Sequence, residues 1–128
     1  MSKRAEQWLR FATENLEAAR ILLSSGHFNP CLQNVQQAVE KSLKALIIAR
    51  GLPLRRTHSI LDLLTPLMDE ELDVSLSEDD CHLLDSIYLP SKYPLGEALP
   101  EFAPNEALCR RCLSIAERVR EGVAREWG

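Results

Sequence analysis

The chain has 128 residues, of which 45% are apolar, 27% charged and only 5% aromatic, and its formal net charge is −4. That length and composition suit one globular domain, 1–128, with a core of Leu, Ile, Val and Ala, which favours helices over a β-sandwich. The negative balance excludes unspecific grip on nucleic acid through general basicity, though not a local basic groove. No apolar run approaches the ~20 residues of a membrane span, and no N-terminal signal is visible. The expectation is a cytoplasmic protein without membrane contact, whose four cysteines stay reduced.

The first helix is expected from about Arg4 to Ser24. Ala5, Trp8, Leu9, Ala12, Leu16, Ala19, Leu22 and Leu23 share one face at helical spacing. Asn15 falls on that same face, which predicts an amide bonded to a neighbouring helix, or one lining a pocket. Gly26 closes the helix, because a left-handed cap suits a residue without a β-carbon. Pro30 belongs to the first turn of helix two, where a missing N–H costs nothing. The connection is short, so helices one and two should be antiparallel neighbours.

Helix two, built on Leu32 to Ile48, is the stretch around which the chain is organised. Leu32, Val35, Ala38, Val39, Ser42, Leu43, Ala45, Leu46 and Ile47 fill an arc of roughly 200°. So wide an arc predicts two packed neighbours or a second subunit, and hence a homodimer. Gln33, Gln37, Glu40, Lys41 and Lys44 take the other face, with Gln36 at the seam. Glu40 precedes Lys44 by one turn, the favourable order for an ion pair. Such a face is either solvated, or a row of amides and ammoniums lining a groove that takes a phosphate.

Gly51 stops helix two. Thr57 or Ser59 can cap helix three, Ile60 to Leu67, which Pro66 should kink or shorten. Ser77 followed by Glu78, Asp79 and Asp80 marks the start of helix four, expected to reach about Tyr88. Leu89 to Pro104 holds four prolines, which predicts a long irregular loop, functional or disordered. Helix five opens at Pro104 and buries Leu108, Cys109, Cys112, Ile115, Ala116, Val119, Val123 and Trp127. Cys109 and Cys112 have no second pair with which to hold zinc, and lie on an apolar face. They read as packing thiols, as do Cys31 and Cys81. No metal site and no cofactor is expected.

Gln36-Gln-Ala-Val-Glu-Lys-Ser-Leu-Lys-Ala-Leu46 resembles the second-helix signature of HEPN domains, small prokaryotic helical proteins often paired with minimal nucleotidyltransferases. Asn15 to Leu23 resembles the family's first helix, where Asp is commoner than Asn15. Arg56-Thr57-His58-Ser59-Ile60 resembles its Arg-Thr-His segment, and Lys92-Tyr93-Pro94 its Arg-Tyr-Pro segment. The likeness runs from about residue 5 to residue 123. It implies an all-α, antiparallel up-and-down bundle of about five helices, four of them forming the core. It also implies a toxin–antitoxin type of system with a nucleotidyltransferase partner. A nucleotide or nucleic-acid end would be held through Gln37, Lys41, Lys44, His58, Lys92 and Tyr93. RNA-cleaving members carry an Arg and, four to six residues later, a His at the start of a late helix. Helix five has no His, and Arg20 with His27 has the spacing only at the end of helix one. The expectation is therefore a binding protein with no catalytic residue. Its alternatives are a metal-independent endoribonuclease toxin and a purely structural dimeric subunit.

Overall fold

The computed structural model describes residues 2–92 and 104–127, side chains excepted at 88–92. Among them are five helices and no strand: α1 (Lys3–Ser24), α2 (Phe28–Ala49), α3 (Ile60–Asp69), α4 (Glu78–Lys92) and α5 (Glu106–Arg125). Local chemistry fixes most of their ends. Ser2 accepts from the Ala5 N–H at 3.2 Å and Asn105 from the Leu108 N–H at 2.8 Å, each satisfying a donor that the first helical turn leaves open. At α4 the cap is reciprocal. Ser77 Oγ accepts from the Asp80 N–H at 3.0 Å, and Asp80 Oδ2 accepts from the Ser77 N–H at 3.2 Å. Gly26 and Gly51 end α1 and α2 at φ of 76° and 72°, a left-handed backbone that a β-carbon disfavours.

α2 is the central element. It packs against α1, α3, α4 and α5 of the same chain, and Leu32, Val35, Leu43, Leu46 and Ile47 are fully enclosed. The wide apolar arc is thus covered without a second copy, which removes the reason for expecting a homodimer from that arc. Contacts fix the direction of packing: Asn34 meets Asn15, Lys41 meets Asn15 and Phe11, and Lys44 meets Trp8. Numbers rise along α2 as they fall along α1, so the pair is antiparallel. α5 also runs against α1, through Arg20–Glu117 and Thr13–Arg120. The fold is the all-α helical bundle expected.

Three boundaries differ from the sequence reading, one of them the start of α5, which opens at Glu106 behind the Asn105 cap and not at Pro104. α4 continues through Pro90 to Lys92 instead of stopping near Tyr88. One proline removes one backbone hydrogen bond, and the next proline is four residues on, so the helix carries this one. Likewise α3 runs past Pro66 to Asp69. The start of the expected irregular loop is therefore helical as far as Lys92, and 93–103 lie outside the described residues.

Cys31, Cys81, Cys109 and Cys112 are all buried as free thiols. Burial pushes Cys81 up to about 12, reinforced by the charges of Asp85, Asp80 and Glu78. Burial likewise pushes Cys109 to about 12 and Cys112 to about 11. They are packing groups, and among the described residues no three His, Cys, Asp or Glu come together to hold a metal.

Candidate functional site

The polar residues of α2 do not form a solvated face. Glu40 keeps only 4% of its side chain exposed and Lys44 only 11%, while Gln36 is 1% exposed as a residue. Periodicity assigns charges to water, but here Trp8 of α1 lies over Lys44, and pairing permits both charges to be buried. Glu40 Oε2 lies 3.6 Å from Lys44 Nζ, the ion pair expected from their spacing. Glu40 Oε1 takes His58 Nδ1 at 2.8 Å. A carboxylate only accepts, so Nδ1 carries the proton of that bond. The Lys44 ammonium also stands over the Trp8 ring, 5.3 Å from its centroid, where the negative ring face attracts it.

His58 is held from two more sides. Gln36 Nε2 donates to the His58 carbonyl at 3.2 Å. The start of α3 just beyond is tied to α4 by Asp85, whose carboxylate accepts from the Ile60 N–H at 2.7 Å, the Leu61 N–H at 3.3 Å and Ser59 Oγ at 3.1 Å. A carboxylate at the positive end of a helix is stabilised by the open N–H groups there. The His58 side chain is nonetheless 58% exposed. A buried acid thus orients an imidazole that reaches the surface.

Lys41 has different company. Its Nζ donates to Asn15 Oδ1 at 2.8 Å and stands 5.8 Å from the centroid of Phe11, which is 41% exposed. Asn15 Nδ2 donates to Asn34 Oδ1 at 2.9 Å, and Asn34 Nδ2 to the Pro30 carbonyl at 3.0 Å. This is the interhelical amide expected of Asn15. Every described partner of Lys41 is neutral, whereas Lys44 has a carboxylate. A cavity of about 210 Å³ on the adjoining α1 surface is lined by Arg4, Gln7, Trp8 and Phe11.

The HEPN domain profile matches residues 5–127. The chain belongs to the HEPN family. It is 30% identical to the protein named "Putative toxin MJ1304" of Methanocaldococcus jannaschii, over 94% of this chain and 86% of that one. The crystal structure of TT1696 from Thermus thermophilus superposes with a TM-score of 0.81 at 33% identity, covering 98% of this chain and 99% of that one. ST0689, an archaeal HEPN homologue, superposes at 0.73 with 29% identity, covering 99% and 100%.

Within this HEPN fold, Glu40 joins Lys44 to His58 in the turn before α3, whereas Lys41 meets Asn15 and Phe11 at the α1–α2 seam. Gln37 lies half-buried on the same helix, one turn before Lys41. The Lys92 side chain and all of Tyr93 lie outside the described residues. Arg20 and His27 do not form a pair of the RNA-cleaving kind, since Arg20 binds Glu117 at 3.0 Å and His27 is an exposed residue at the start of α2. Sequence reasoning missed Trp8 and Phe11 as companions of the lysines. Helical spacing assigns Trp8 to the core and Phe11 to no face; an aromatic just off the apolar stripe of α1 is the available signal.

Proposed function

We propose that this HEPN chain is the binding member of a toxin–antitoxin-type pair, partnered by a minimal nucleotidyltransferase. Its Lys41 face would hold a nucleotide or a nucleic-acid end. The observation that carries the reading is the company of Lys41: among the described residues its partners are an amide oxygen and a phenyl ring, both neutral, with no carboxylate to offset its charge. Phe11 beside it offers a flat apolar surface on which a base stacks. Gln37 adds an amide one turn before Lys41 on the same helix. Lys44 contributes position more than charge, because Glu40 offsets it. The name of the archaeal relative supports the toxin–antitoxin setting. The experiment is fluorescence anisotropy with a short single-stranded RNA, for wild type, Lys41→Ala and Phe11→Ala. Weak binding that falls with salt, and is lost in Lys41→Ala, supports the reading. Equal binding by all three proteins refutes it.

A second reading, a metal-independent endoribonuclease, is favoured by one contact: the buried Glu40 carboxylate on His58 Nδ1. A carboxylate in that position fixes the orientation and tautomer of the ring, as general acid–base work requires. Cleavage of RNA by the purified protein that disappears in His58→Ala would decide for this reading. Intact RNA after prolonged incubation would decide against it.

A further inference from the structure

Three of the four buried thiols come together where α2 and α5 begin. Cys31 and Cys109 are each the fourth residue of their helix, and the backbone N–H of each donates at 3.1 Å to the carbonyl of its cap residue, His27 or Asn105. The two helix starts touch: the Cys109 thiol donates to the Phe28 carbonyl at 3.4 Å, in the same turn as Cys31. The Cys31 and Cys109 side chains also interact directly, and Cys112 lies one turn further along α5. All three are fully enclosed. We propose that Cys31 and Cys109 are a peroxide-oxidised pair, closing to a disulfide that ties the start of α2 to the start of α5. The pair shares no residue with the Lys41 face.

Position selects the partners. Cys109 and Cys112 are three apart on one helix, which sets their β-carbons ~5–6 Å apart, beyond the ~3.5–4.5 Å that a disulfide spans. Cys81 has the carboxylates of Asp85, Asp80 and Glu78 around it and no thiol. Cys31 and Cys109 remain, and they are not equivalent. Burial pushes the Cys31 thiol up, but a hydrogen bond from Cys109 pulls it back; burial and the neighbouring Cys31 push Cys109 up to about 12. Cys31 is therefore the attacking thiolate and Cys109 the resolving thiol. The Cys31 thiolate attacks one oxygen of hydrogen peroxide. The O–O bond breaks, Cys31 becomes a sulfenic acid, and hydroxide leaves. The Cys109 sulfur then attacks the Cys31 sulfur, the S–O bond breaks, and the oxygen departs with the Cys109 proton as water. Peroxide takes up the two electrons that the thiols lose. It is close to water in size, and the terminal turns of helices open at little cost, so enclosed thiols react slowly while the bundle stays folded.

Incubate the reduced protein with hydrogen peroxide under native conditions, block free thiols with N-ethylmaleimide in denaturant, and map the unreduced tryptic peptides. Each cysteine falls in its own peptide: 21–41, 57–92, 93–110 and 112–118. The expected product joins 21–41 to 93–110, leaves Cys81 and Cys112 free, and reverts in dithiothreitol. Closing so long a loop should raise Tm by about 8 °C or more. Cys112→Ser should keep the cross-link. Cys109→Ser should abolish it and leave Cys31 as a sulfenic acid that dimedone traps. The wild-type map and Cys112→Ser decide the matter even if Cys109→Ser does not fold. Four free thiols after peroxide, or a link through Cys81 or Cys112, overturns the pair. A link that forms only in denaturant, or that leaves Tm unchanged, overturns its place between α2 and α5.

Discussion

Glu40→Gln distinguishes an interior ion pair from a surface one. The substitution keeps the size of the side chain and an acceptor for His58 Nδ1, but removes the charge facing Lys44. Breaking a buried pair costs ~3–5 kcal/mol because the remaining ion has lost water and partner together. Here the Lys44 side chain is still 11% exposed and the Trp8 ring stays in place 5.3 Å away, so the cost falls at about 2–3 kcal/mol. For a chain of this size each kcal/mol moves Tm by roughly 4 °C, which predicts a fall of about 8–12 °C. A solvated i,i+4 pair would cost only ~0.3–0.5 kcal/mol. Thermal and urea denaturation of Glu40→Gln, Lys44→Met and the double variant give the coupling directly. The double variant should be at least ~1 kcal/mol more stable than the two single losses summed, since neither ion is then left alone. A Glu40→Gln loss below about 0.5 kcal/mol with additive effects would refute the buried arrangement.

Other positions test the frame that holds the site. A β-carbon on Gly122 would lie 2.5 Å from the backbone oxygen of Val74, so Gly122→Ala should cost at least ~1–3 kcal/mol, read by urea denaturation. Asp85→Ala removes an acceptor from two backbone N–H groups and Ser59 Oγ at the start of α3, and should cost ~1–3 kcal/mol while raising amide exchange in Ile60 and Leu61. The buried thiols predict alkaline instability. They stay protonated in the fold to about 12 at Cys81 and Cys109 and about 11 at Cys112, while the unfolded chain ionises near 9.0. Stability is therefore fully present below about pH 9 and is lost as pH rises toward the folded values, by roughly 1.4 kcal/mol per pH unit for each thiol. Urea midpoints from pH 8 to 11 check this, and a flat profile would contradict it.

Much of the bundle was legible because each helix announces itself locally. Ser77 with Asp80, Ser59 before Ile60 and the stops at Gly26 and Gly51 are short-range chemistry, and the structure uses every one. Asn15 was legible for a different reason: an amide on an apolar stripe needs a partner, and Asn34 supplies it. Tertiary choices were not legible. Helical spacing cannot say that Trp8 of α1 covers Lys44 or that Glu40 is buried beside it, because pairing lets both charges go inside against their usual preference. Nor can it say that Asp85 caps a helix 25 residues earlier in the chain, or which ring of α1 meets which lysine. Of the six expected ligand residues, Lys44 and His58 are joined through Glu40, while Lys41 has its own partners on α1 and Gln37 lies one turn before it. The set gains Phe11 and Trp8, residues no spacing rule attaches to α2.

The central claim is that Lys41 presents an uncompensated charge to a phosphate. Its most direct test is the salt dependence of single-stranded RNA binding, wild type against Lys41→Gln. Each phosphate neutralised on a single strand adds about −0.7 to the slope of log K against log salt. The account predicts weaker binding and a slope flatter by about 0.7 in Lys41→Gln. The same slope in both proteins, with the fold intact, would contradict it.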